Sequence, residues 1–200
     1  MPRTVARTAP NVTLPPEQVF EALCRIERVF RLNPHWTIRN WSASPSDRLA
    51  QGSVVAVDIE DYATSENLSI RATCRICEPP SRLELAYEGS RKLSTVFLVS
   101  EVHGGSRLTV EETYSDEEDP ANFTWHKDQL EFWVRSLSAY LRLLGTRGWK
   151  AWLYQRFMDR FWIPASPSGR RISIVVFKIS IVELVLILAI IVMWALFFQR

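Results

Sequence analysis

The residues of this chain that could do chemistry are few and scattered. Cys74-Arg75-Ile76-Cys77 has the spacing of a redox pair or of half a zinc site. The run reads as part of a strand, where positions three apart point to opposite faces. No second cysteine pair accompanies it, and Cys24 is distant in sequence. Cys74 therefore reads as a core thiol and Cys77 as one on the outer face, without metal or disulfide chemistry. Of the three histidines, His103 lies in a Gly-rich turn, His35 precedes a strand, and His126 stands four residues before Leu130 on an inward helical stripe. Neither an H-x-E nor an HExxH spacing occurs, so no metal is expected. Glu112 shares a strand face with Leu108, Val110 and Tyr114. If that face is covered, the carboxylate points into apolar surroundings and needs a partner there. If the alternation slips near the strand end, Glu112 is exposed; the pattern leaves both open. His126 with Glu112 is the acid–base pairing on offer. G-x-S-x-G, Walker and dinucleotide signatures are missing, and no cofactor is expected.

The elements that must position these groups read as strand, short helices, a run of strands and a long helix. Residues 3–13 form a first strand. Val19, Leu23, Ile26 and Phe30 then mark one or two amphipathic helices ending at Asn33-Pro34. Strands follow over Trp36 to Ser42, Ser53 to Asp61, Leu68 to Cys77, Arg82 to Tyr87, Ser94 to Val102 and Arg107 to Tyr114. Leu68, Ile70, Ala72, Cys74 and Ile76 share one face, opposed by Ser69, Arg71, Thr73, Arg75 and Cys77. Leu83, Leu85 and Tyr87 do the same in the next strand. This alternation predicts an antiparallel sheet with one covered and one wet face. From about Phe123 the period becomes helical, with Leu130, Trp133, Val134, Leu137, Leu141 and Leu144 in one stripe, broken at Gly145 and Gly148.

LPPEQVFEALCRIERVFRLNPHW, ICEPPSRLELAYEG and VHGGSRLTVEETY, in that order and over residues 3 to 145, resemble the START-like superfamily, also called SRPBCC. That superfamily includes polyketide cyclases, coenzyme-Q-binding proteins and allergen-type ligand carriers. The resemblance implies an α+β helix-grip fold: a curved antiparallel sheet around a long C-terminal helix, commonly with an apolar cavity. Its loose motifs say little about reaction.

Net charge is +2, which gives no global field for nucleic acid. The local distribution is uneven. Asp116 to Asp119 form an acidic run that reads as a solvated loop, while Lys and Arg crowd Arg142 to Lys178. The first twenty residues hold no apolar run of signal-peptide length. Ile179 to Phe198 are apolar or small except for Glu183, and twenty helical residues rise about 30 Å, a bilayer's hydrocarbon thickness. This predicts a tail anchor. Arg160, Arg170, Arg171 and Lys178 on its upstream side keep the N-terminal domain cytoplasmic by the positive-inside rule, with a bacterial inner membrane as the expected setting. Glu183 lies about 6 Å along the axis from Ile179, near the headgroups; a partner-helix contact or proton site is its functional alternative.

Between domain and anchor, WKAWLYQRFMDRFW runs from Trp149 to Trp162. On a helical wheel Leu153, Tyr154, Phe157, Met158 and Phe161 cluster against Gln155, Arg156, Asp159 and Arg160. Aromatic and basic residues together suit a bilayer interface, with Trp149, Trp152, Arg156, Phe157, Arg160, Phe161 and Trp162 as the contacts; packing on the chain's own domain is the competing arrangement. The expected organisation is a ligand-binding domain over 1–148, a juxtamembrane segment over 149–171 and an anchor over 172–200. The leading expectation is binding or transfer of a hydrophobic small molecule (lipid, quinone or polyketide-like) at a membrane. Ile70, Ala72, Cys74, Leu85, Val110, Trp133 and Leu137 would line the cavity, with Tyr87, Glu112, Tyr114 and His126 at a polar head. A cyclase or dehydratase using His126 or Glu112 is the alternative, and an accessory protein of a membrane complex the third.

Overall fold

The computed structural model describes residues 4–44, 48–61, 66–115 and 120–198. The acidic run Asp116–Asp119 lies outside the described residues. The chain divides into two compact units, Met1–Pro164 and Ala165–Arg200.

In the first unit, eight strands form one antiparallel sheet: β1 Thr4–Thr8, β2 Asn11–Val12, β3 Trp36–Ser44, β4 Val54–Asp61, β5 Glu66–Glu78, β6 Arg82–Glu88, β7 Lys92–Val102 and β8 Gly105–Tyr114. Their spatial order is β1-β8-β7-β6-β5-β4-β3, with β2 also pairing β8. The predicted first strand is split in two, and between its halves the Pro10 carbonyl accepts from Leu108 N–H. Helices α1 Pro16–Cys24 and α2 Ile26–Arg31 follow β2, and α3 Pro120–Gly145 follows β8. This is the helix-grip arrangement.

Alternation decides which strand residues are covered. Val55, Val57 and Ile59, Ile70, Ala72 and Cys74, Leu83 and Leu85, Phe97 and Val99, and Leu108 and Val110 are all buried. From α3 Leu130, Trp133, Val134, Leu137, Ser138 and Leu141 are buried as one stripe at three- and four-residue spacing, and Tyr140 is buried beside it. The α1 and α2 residues Val19, Phe20, Leu23, Ile26, Val29 and Phe30 join the same core. Register shifts break the pattern in three strands, one of them in β3 between Ile38 and Asn40. In β5 the register shifts between Cys74 and Ile76, which turns Cys77 opposite Leu83. Cys77 is half-buried and packs on the core with Cys74 instead of standing on the outer face. In β7 the shift lies between Lys92 and Ser94.

Helix α4, Trp149–Phe157, continues into a π-helical turn, Met158–Trp162. This segment belongs to the first unit, which runs past Gly148 to Pro164. Arg28 Nη1 donates to Asp159 Oδ2 at 3.0 Å and Tyr140 Oη donates to Asp159 Oδ1 at 2.8 Å. Gln155 Nε2 donates to the Leu143 carbonyl at 2.8 Å. The second unit holds one helix, α5, Pro167–Phe198. It starts upstream of the predicted anchor, and Pro167–Trp194 is long and apolar enough to cross a membrane, with none of its most apolar window buried.

Candidate functional site

Tyr87, Lys92, Thr95, Glu112 and Tyr114 come from the adjacent strands β6, β7 and β8 and are all buried in the grip. Lys92 Nζ donates to Glu112 Oε1 at 2.7 Å, a pair only 8 % and 3 % exposed. The same carboxylate accepts from Tyr114 Oη and, at 3.4 Å, from Thr95 Oγ1, and Tyr87 Oη donates to Thr95 Oγ1 at 3.0 Å. Glu112 therefore lies on the covered face, with its partner.

The partner is the residue that sequence reasoning missed. Thr95, Phe97 and Val99 alternate inward, and extending their period selects Leu93, not Lys92. The bulge at Leu93 exchanges the two: Leu93 is exposed and the lysine is buried. Nothing in the composition of β7 announces that bulge. Buried Lys requires a partner. Here Glu112 supplies charge, and the rings of Trp36, Tyr87 and Trp133 lie 4.8–5.5 Å from Nζ, within cation–π range. Burial acts to pull the Lys92 ammonium down, but attraction and hydrogen bonding to Glu112 outweigh it, so its pKa stands above the ordinary lysine range. Burial raises the Tyr87 phenol as well. The site is thus a neutral ion pair roofed by aromatic faces and edged by two tyrosine hydroxyls.

His126 is half-buried on α3, its ring stacked on that of Tyr114 with centroids 4.4 Å apart. Tyr114 is interposed between the two predicted acid–base partners, its hydroxyl on Glu112 and its ring on His126. Of the predicted lining, Ile70, Ala72, Cys74, Leu85, Val110, Trp133 and Leu137 are all buried in one core. The space between sheet and α3 is filled by rings: Phe30, Trp36 and Phe97 approach Trp133 at 5.7–6.2 Å or each other, largely edge to face. Trp133 Nε1 donates to the Val29 carbonyl at 2.8 Å. Trp41 Nε1, buried beside Phe30, finds no acceptor among the described residues.

Two hollows lie away from this cluster. One of about 470 Å³ is lined by Phe20, Cys24, Leu49, Cys77, Pro79 and Pro80, with Glu21 and Arg48 among its polar residues. The other, about 550 Å³, lies on α4 among Trp152, Gln155, Arg156, Asp159 and Arg160. Among the described residues no group of three or more His, Cys, Asp or Glu is placed to hold a metal.

No family model matches the chain, and no curated protein matches it. Solved structures do. The KanY protein superposes with a TM-score of 0.56 at 14% identity, over 70% of this chain and 99% of that one. Protein CV1439 from Chromobacterium violaceum gives 0.55 at 13%, over 69% and 97%. Ara h 8.0201 gives 0.52 at 13%, over 70% and 98%. At such identities the likeness is one of fold: the chain shares its helix-grip fold with these proteins.

Proposed function

We propose that this chain binds a hydrophobic small molecule with a neutral, hydrogen-bond-accepting head, in the grip of a domain held at a membrane by α5. The carrying observation is the Lys92–Glu112 pair, buried under Trp36, Tyr87 and Trp133 with Tyr114 beside it. A buried ion pair is weak evidence for stability, because desolvation offsets its Coulombic gain. Its retention in an apolar core fits a recognition role. The pair is already neutral, so a charged head would face one repulsive partner. A ketone, quinone or phenol can instead accept a spare Lys92 N–H. Trp41 Nε1 offers a further buried donor, which would otherwise cost about 1–3 kcal/mol. Trp36 is half-buried, with its Nε1 donating to Asp61 Oδ2 at 3.3 Å, and a ligand reaching Lys92 would have to displace this ring.

The test is displacement of a fluorescent apolar probe from the full chain by molecules of equal chain length and different heads. Ketone and phenol heads should compete best, a plain alkane weakly and an amine least, with Lys92→Met erasing the preference. Equal competition by all four rejects the site. The close ring packing around Trp133 favours one second reading, an accessory protein whose grip is solid. It predicts no displacement at any head.

A further inference from the structure

Helix α4 and its π turn carry their large aromatic side chains on the side away from the domain, interleaved with arginines. Trp149, Trp152, Leu153, Arg156, Phe157, Arg160 and Phe161 stand at i, i+3, i+4, i+7, i+8, i+11 and i+12, which is one helical face. Every one is exposed, Trp149 by 72% and Phe161 by 62%. The face that packs on the domain is smaller and more polar: Ala151, Gln155, Met158, Asp159 and Ile163. The π turn sharpens this division. Ile163 N–H donates to the Met158 carbonyl at 2.8 Å, and the extra residue brings Ile163, not Trp162, into the buried position.

Charge is sorted in the same way. Asp159 is the one acid between Trp149 and Trp162, and it faces inward, held by Arg28 and Tyr140. Lys150, Arg156 and Arg160 remain exposed. Lys150 lies over Trp149 and Arg156 over Trp152, at 5.8 and 6.0 Å. The outer surface is therefore aromatic and cationic, a combination that matches a bilayer's interfacial zone bearing anionic headgroups. The hollow among Trp152, Gln155, Arg156, Asp159 and Arg160 has room for such a headgroup, with the Asp159 carboxylate paired to Arg28 and the two arginines offering charge.

We infer that the α4 face docks on an anionic lipid bilayer, as a contact separate from α5. The occupant is a bilayer because the apolar helix long enough to span one begins at Pro167, a few residues along the same chain. The anchor brings this face within reach of lipid, and the face adds what a single span lacks, a restraint on rotation of the domain. The inference rests on α5 as a span and not on the ligand reading.

The test uses the full chain in phosphatidylcholine nanodiscs, with or without phosphatidylglycerol, containing lipid brominated near the top of the acyl chain. Tryptophan quenching should fall by about half or more in Trp149→Phe/Trp152→Phe, since these are two of the three strongly exposed indoles. Arg156→Glu/Arg160→Glu, which keeps both indoles, should lose the same share in phosphatidylglycerol discs. Equal quenching of wild type and both variants in both lipids overturns the proposal, whether water, a second copy or another protein covers the stripe. Trp194→Phe, read with lipid brominated at mid-chain, reports the span independently.

Discussion

Removing the Lys92 ammonium is the perturbation with the clearest energetic consequence. Lys92→Met leaves the Glu112 carboxylate in a core 3 % open to water. Tyr114 and Thr95 still donate to it, but without a countercharge. Breaking a buried pair from one side costs about 3–5 kcal/mol. For a unit of this size each kcal/mol moves Tm by about 2–4 °C, so the melt should shift down by about 6–20 °C. The signal should be near-UV circular dichroism of the detergent-solubilised chain, since α5 contributes helix but little to the packed rings. Glu112→Gln keeps an acceptor for Tyr114 and removes the charge. Combined with Lys92→Met it should cost less than the sum of the two, by about 1–3 kcal/mol of coupling. Raising the pH gives the same answer with the sign fixed. A lysine whose folded pKa is raised contributes stability in full below its unfolded pKa and loses it as pH climbs through the folded one. The wild type should therefore lose this increment only in strongly alkaline solution, and Lys92→Met should show no such loss. A Lys92→Met melt within about 1 kcal/mol of wild type, or strict additivity with Glu112→Gln, would refute the pairing argument.

Three further outcomes follow from the geometry. Trp133→Ala should destabilise the first unit by about 3–5 kcal/mol in denaturant melts, because Phe30, Trp36 and Phe97 lose their common partner. Asp159→Asn removes the charge from the Arg28 ion pair, and amide exchange should then rise over 149–163 while the β-strands keep their protection. Burial, helped by the neighbouring Cys77, pushes the Cys24 thiol up to about 11, and burial pushes Cys74 to about 12. Near neutral pH iodoacetamide should modify the half-buried Cys77 first, and mass spectrometry should find Cys24 modified only as the pH nears that value.

How much of this was legible in the sequence depends on the period of each element. The β5 face from Ile70 to Cys74, the β6 face and the α3 stripe follow simple alternation or helical spacing, and Ala72, Leu85, Trp133 and Leu137 are buried where those periods place them, whereas Leu68 at the start of β5 is exposed. Glu112 was legible as a question only, since strand spacing says which face a residue takes but not what meets it there. The answer, Lys92, sits across a bulge, and one extra residue reverses every inference drawn from alternation. The same effect in β5 turned Cys77 inward. In α4 the wheel put Met158 with the aromatic residues, but Met158 packs on the core and Asp159 is drawn inward by Arg28 and Tyr140. Those two partners lie 131 and 19 residues away in sequence, beyond the reach of any local pattern.

The central claim is that the grip holds a hydrophobic molecule by its polar head at Lys92. Native mass spectrometry of the full chain, purified in mild detergent, tests this most directly. The expected result is an added mass that extracts into organic solvent as a carbonyl- or phenol-bearing apolar molecule, and that is lost from a folded Lys92→Met variant. A wild-type chain that is empty on release and takes up no such molecule when one is supplied would contradict it.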